Sequence, residues 1–346
     1  MEGEVTVKDA GKAQVVTASE SEQADARGPQ RTIALDDSGD ALLMLGTSAG
    51  TQPVQVSKAV MTLASPVWKA MFKRHWKENE ATEIPLPEDD VGTMLIVLRI
   101  AHLRFHELLK KKGLTIDALL ALAVVCDKYD IVPLVRPFLD LYDWAQCHLP
   151  DTISGERCDP AWFFIAWTFG YRESFTELAD FVVKRTGLDE NGFLVTDDEP
   201  GFPSHMPPGL IELMADVRKT TLGYMLEVIY DVLDRILKGP VCVVKESRGP
   251  VCGVMTLDSY ISFLLAKGLY PVRRPAAETS LSIQELYDAS KEVGIAITGA
   301  ISKHTYIHCG CFKRYEFLPG LKEIYQVKDM VISKSHVRHM AEQAKK

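Results

Sequence analysis

Three cysteines and a histidine in the last third of the chain carry the clearest chemical possibility. "GPVC" occurs twice, ending at Cys242 and Cys252, and "HTYIHCGC" follows at 304–311 with His308 and Cys311. Thiolates and imidazole are the donors that a tetrahedral zinc ion takes. The expectation is a structural zinc site held by Cys242, Cys252, His308 and Cys311. The competing reading is unligated thiols packed as small apolar groups. The chain has no Cys-x-x-Cys step, and the ligand spacing is irregular. The ten-residue offset between the two "GPVC" strings is too short for a solenoid-type repeat.

Other candidates for chemistry are weaker. "GTSAG" (46–50) has the Gly-x-Ser-x-Gly form of a hydrolase nucleophile elbow centred on Ser48. That motif has meaning only on a strand-to-helix turn, and the "TQPVQVS" that follows reads as a strand. His102 and His106 would share one helical face if their helix continued, but no further ligand is near in sequence. Asp127, Lys128, Tyr129 and Asp130 read as a helix end, and Asp89 with Asp90 as helix caps. His-Glu-x-x-His, the phosphate-binding Gly-x-x-x-x-Gly-Lys and the glycine-rich dinucleotide fingerprint are all missing from the sequence. The chain is therefore read as non-catalytic. The rival is an unrecognised enzyme site in residues 160–346, which would need convergent polar residues in a cleft.

The elements that must position these residues follow from composition and period. The chain has 346 residues, 47% of them hydrophobic and 25% charged, with a formal net charge of −8. That length suggests two domains, and that charge gives no general attraction for nucleic acid. Only the tail, "KSHVRHMAEQAKK", is locally basic, as a short helix. No apolar run approaches bilayer length, and the first residues lack a secretory pattern. An intracellular protein, in cytoplasm or nucleus, is expected. Residues 1–30 have the composition of a disordered arm.

Strands are expected at 41–46 and 53–57, joined by a loose hairpin. Helical spacing then runs through Val60, Leu63, Ala64, Val67, Met71 and Phe72, interrupted by Pro66. A proline inside a helix costs about 3 kcal/mol, but almost nothing at its first position. Two helices are therefore expected, 58–64 and 66–73, with Ser65 capping the second and Val67, Met71 and Phe72 facing the core. Ser57 is a candidate cap for the first. An edge strand at 82–87, helices at 91–104 and 115–130, and one or two more within 131–149 complete the unit. The expected class is α+β, a small sheet covered by helices.

"VSKAVMTLASPVWKAMF", then "EIPLPEDD", then "LLALAVVCDKYDI" resemble, in that order, a BTB/POZ domain of the variety common in filamentous fungi. The resemblance covers residues 31–149; Ser57 stands where many animal members have histidine. It implies the BTB/POZ fold over 31–150 and a mainly α-helical C-terminal domain over 151–346. It also implies a dimerisation or adaptor module without catalytic chemistry. A homodimer is the expected assembly, and a cullin-type ubiquitin-ligase scaffold or a transcriptional regulator the expected further partner. The His-x-x-Cys step near the C-terminus is also similar to that of other fungal BTB proteins.

Within 151–346, helices are expected over 159–187 (two), 210–239, 257–271 and 282–293. The cluster Trp162, Phe163, Phe164, Trp167 and Phe169 reads as core. On 210–239 the residues available for burial are Leu213, Val217, Tyr224, Leu226, Ile229, Val232, Leu233 and Ile236. Ser282 and Glu285 have capping-box spacing.

Overall fold

The computed structural model describes residues 31–47, 50–73, 81–108, 113–148, 159–196, 201–239, 251–304, 316–327 and 331–346. The side chains of 251, 252, 255 and 294–304 are outside that description. The architecture is α+β, with a small mixed sheet and many helices.

The sheet has four strands: β1 (Ile33–Ala34), β2 (Ala41–Leu45), β3 (Gln52–Val56) and β4 (Glu83–Leu86), in the order β1-β3-β2-β4. β2 and β3 form the expected antiparallel hairpin, with Leu43 opposite Val54. Alternation puts Ala41, Leu43, Leu45, Val54 and Val56 on the buried face. β4 adds parallel to β2 at one edge, where Pro85 costs no ladder bond to a further strand. β1 adds parallel to β3 at the other edge.

Helices α1 (Lys58–Ala64) and α2 (Pro66–Met71) follow β3; α3 (Val91–Ala101) follows β4. Asp90 caps α3 through the Thr93 amide at 2.7 Å. α3 ends at Ala101, short of the expected 104, and Leu103 takes φ 61°. His102 and His106 are therefore not on one helical face. A turn of 3-10 helix (Phe105–Glu107) leads to α4 (Ile116–Tyr129), capped by Thr115, and α5 (Val132–Leu141).

The core does not close at residue 150. Helix α6 (Ala161–Phe169) packs against α4, against α7 (Arg172–Arg185), and against the last helix, α12 (Lys334–Gln343). With neighbours on so many sides it is apolar all round. Trp162, Phe163, Phe164 and Phe169 are buried and Trp167 is half-buried. Gly170 ends α6 at φ 77°. A Cβ there would lie 2.5 Å from the Ala344 amide nitrogen and 2.6 Å from the Met340 carbonyl oxygen. Glycine thus serves both the left-handed cap and the approach of α12.

A two-stranded ribbon, β5 (Gly187–Leu188) with β6 (Leu194–Val195), precedes the 29-residue α8 (Leu210–Lys238). The apolar packing divides inside α8. Leu210 and Met214 belong to the core of the sheet and α3–α7. Residues from Leu222 to Ile236 form a second core with α9 (Val251–Ala266), α10 (Ile283–His304) and α11 (Leu318–Gln326). α9 starts before the expected 257 and ends before 271, while α10 runs beyond the expected 293. Tyr224, expected to be buried, is 55% exposed, and Met225 takes the core position beside it. The Ser282–Glu285 capping box is formed, at 3.1 Å and 2.6 Å.

Between the two cores lies Arg218, 2% exposed. Its guanidinium donates to the carbonyl oxygens of Thr186 at 3.0 Å, Thr279 at 2.5 Å and Leu281 at 2.7 Å. Burial pulls its pKa down to about 10, opposed by the charge of Glu285. One cation thereby ties the end of α7, the loop before α10 and the middle of α8.

Candidate interaction surface

The break at Pro66 is built as the sequence implies. Ser65 has extended backbone (φ −142°, ψ 129°), and its Oγ accepts the Trp68 amide hydrogen at 3.1 Å. Pro66 occupies the first turn of α2, where no amide donor is needed. The same Ser65 hydroxyl donates to the Tyr129 carbonyl oxygen at 2.6 Å, so one side chain caps α2 and anchors it to the end of α4.

Beneath the break lies a polar chain centred on the buried Asp89. Tyr129 Oη donates to Asp89 Oδ2 at 2.5 Å, and Lys128 Nζ reaches Asp89 Oδ1 at 2.8 Å. Asp89 is therefore not a helix cap like its neighbour Asp90. It is a buried carboxylate, 4% exposed, joining the β4–α3 turn to α4. Burial first, then the hydrogen bond to Asp89, push the Tyr129 phenol far above its ordinary value. The Trp68 and Tyr129 rings lie 5.1 Å apart.

This anchoring fixes which side of the two helices faces out. Trp68 is fully buried, whereas Val67, expected in the core, is 39% exposed. The break rotates α2 relative to the period continued from α1, so the aromatic takes the inward position. Leu63 is 90% exposed. Ala59, Pro66 and Ala70 are also exposed. The outward residues of the two helices are the apolar Ala59, Leu63, Pro66, Val67 and Ala70, with Lys69 exposed among them.

Other large apolar side chains are exposed on other elements. Leu103 is 71% and Leu141 70% exposed. Phe105, itself partly exposed, meets Phe138 of α5 with ring centroids 5.4 Å apart, and Phe138 continues to Tyr142 at 6.3 Å.

The polar candidates fall differently. Cys242, His308 and Cys311 lie outside the described residues, as does the side chain of Cys252, and so does Ser48. Among the described residues no group of three or more His, Cys, Asp or Glu side chains is placed to hold a metal ion. A metal assay on the purified chain decides the sulfur–imidazole set: zinc near one equivalent per chain keeps it, and zinc far below removes it. The strand-to-strand context around Ser48 is present, since β3 and not a helix follows β2. His106 is exposed beside Glu107. His102 has a structural role: Nδ1 donates to the Leu98 carbonyl at 2.9 Å, and Nε2 accepts the Ser57 amide hydrogen at 3.1 Å.

The C-terminal tail is not a free basic helix. His336 and Met340 are buried, the His339 ring stacks on Trp167 with centroids 3.8 Å apart, and Lys346 pairs with Asp130 at 2.6 Å. Asp89, Arg218, Val67 and Tyr224 are among the positions that sequence reasoning misplaced or passed over. Only for Asp89 was there a local signal: two adjacent acids where one cap suffices.

No protein-family model matches the chain, and a search of curated proteins returns no match. No helix among the described residues is long and apolar enough to cross a membrane.

Proposed function

We propose that this chain is a non-catalytic protein–protein interaction protein with a BTB/POZ-type N-terminal unit, and that it self-associates through the α1–α2 face. The observation that carries the reading is Leu63, 90% exposed on a mostly apolar helix pair whose backbone is held by the Ser65 anchor. The ordered motifs at 56–72, 83–90 and 119–131 support it through their resemblance to BTB domains. In a twofold dimer each Leu63 is buried once per protomer. Each burial contributes roughly 1.5–3 kcal/mol. The test is light scattering coupled to size exclusion on the full-length chain and on Leu63→Asp. A dimer that becomes a monomer on substitution is expected. A wild-type monomer at micromolar concentration, or a Leu63→Asp dimer of unchanged affinity, overturns the proposal.

An adaptor role for a cullin-type ubiquitin ligase is the second reading. It is favoured by the exposed Leu103, Phe105 and Leu141, which lie on elements other than α1 and α2. Capture of a cullin by the full-length chain, lost in Leu141→Asp, is the expected result. Absence of capture leaves self-association alone.

A further inference from the structure

Side-chain acceptors hold the first amides of α1, the helix that carries Leu63. Ser57 Oγ accepts the Val60 amide at a long 3.5 Å, and Asp40 Oδ1 accepts the Lys58 amide at 2.7 Å. A third acceptor is His102 Nε2, which takes the Ser57 amide hydrogen at 3.1 Å. The ring's other nitrogen faces the Leu98 carbonyl at 2.9 Å. A carbonyl can only accept, so Nδ1 must carry the hydrogen. An amide can only donate, so Nε2 must be bare. Both ring nitrogens are thus committed in a way that only the neutral, Nδ1-protonated tautomer satisfies.

We propose that His102 is a proton-operated latch on α1: neutral, it holds the Ser57 amide; protonated, it releases the start of the helix that presents Leu63. A proton on Nε2 would set one donor against another. It would also place a full positive charge at the positive end of a helix dipole, where cations are disfavoured. Two effects therefore act in one direction.

The charged groups around the ring come from every element packed on it. Asp36, in the β1–β2 turn, favours the imidazolium, and Arg104, after α3, opposes it. Asp40 from the β1–β2 turn is engaged with the Lys58 amide, and the Lys58 ammonium is directed to the Ala81 carbonyl at 3.1 Å. Asp36 is partly exposed and is itself occupied by the Ser38 hydroxyl and amide. Burial is the largest influence and holds the His102 pKa below the ordinary 6.5. The unfolded chain thus takes up the proton more readily than the folded one. The latch is complete above 6.5 and is lost as pH falls from there through the lower folded value.

The consequence for assembly rests on the α1–α2 reading, while the latch itself does not, and the experiment separates the two. On the full-length chain, nitrogen-15 spectra of the imidazole read the tautomer. Amide exchange at Ser57 and across α1, corrected for intrinsic rates, reads the latch between pH 7.5 and 5.5. A protonated Nδ1 at pH 7.5, with α1 protection falling about three- to tenfold at 5.5, is expected from the loss of one capping-type contact. In His102→Gln, whose side-chain oxygen can accept the Ser57 amide without titrating, the same protection should stay flat. An Nε2-protonated ring, or the same pH response in His102→Gln, overturns the latch. The dimer dissociation constant, measured over the same range, should rise with falling pH in wild type only. A chain monomeric at every pH overturns the self-association reading, and the exchange data still decide the latch.

Discussion

Ser65→Ala removes one oxygen that does two things. It is the cap for α2 and the donor to the Tyr129 carbonyl. Loss of a serine N-cap costs about 1 kcal/mol, within a range of roughly 0.5–2. Leaving a buried carbonyl without its donor costs roughly 1–3 kcal/mol. Ser65 is 1% exposed, so water cannot easily replace the hydroxyl. The two costs share one atom and overlap, so the expected loss is about 2–3 kcal/mol. The assay is urea denaturation followed by far-ultraviolet dichroism, with separate transitions fitted because two cores exist. The transition of the sheet-bearing core should shift to lower urea with its slope unchanged. Pro66→Ala provides the contrast: a proline in the first turn makes no amide bond to lose, so its change should stay below about 1 kcal/mol. A Ser65→Ala loss under about 0.5 kcal/mol would refute the claim that this break is anchored and not merely tolerated.

The remaining predictions concern the joints and the thiols. Arg218→Met keeps most of the apolar stem but strands three carbonyls, and should cost about 3 kcal/mol or more in denaturant titration; a change under about 1 would show those carbonyls find other donors. Gly170→Ala forces a Cβ against the α12 backbone at φ 77°. Faster proteolysis or amide exchange of residues 334–346 is expected, and unchanged protection would show that α12 can yield without detaching. Cys126 is buried, and burial raises its thiol far above the ordinary value, whereas Cys147 is exposed. Site-resolved mass spectrometry should find native-state alkylation at Cys147 and, at Cys126, only after unfolding; equal rates would contradict the described burial.

The strands β2, β3 and β4, the helix pair at Pro66 and the aromatic α6 follow from local rules. Alternation of Leu43, Leu45, Val54 and Val56 gives a half-buried hairpin, and a serine before a proline can start a helix but hardly continue one. The capping box at Ser282 and Glu285 is legible for the same reason: its two partners are three residues apart, and the bond is local.

The candidate surface was only half legible. Helical spacing treats Leu63, Val67 and Phe72 as one stripe, but the break at Ser65 lets tertiary packing choose a new phase for α2. Trp68 then has Tyr129 and the core to bury against, and Val67 does not. Asp89 looked like a cap because sequence cannot show that Lys128 and Tyr129, some forty residues on, arrive beside it. Arg218 sits in a helical period as an ordinary surface charge. Its three carbonyl partners lie 32, 61 and 63 residues away, so its burial is decided by where the two cores meet. By itself the sequence determined most of the elements, though not β1, the β5–β6 ribbon or α11, together with the break between α1 and α2 and the α+β class, because each depends on neighbours within a few residues. The tertiary structure alone decided which apolar side chains stay outside and which charges go in, because those choices depend on contacts that only the folded chain brings together.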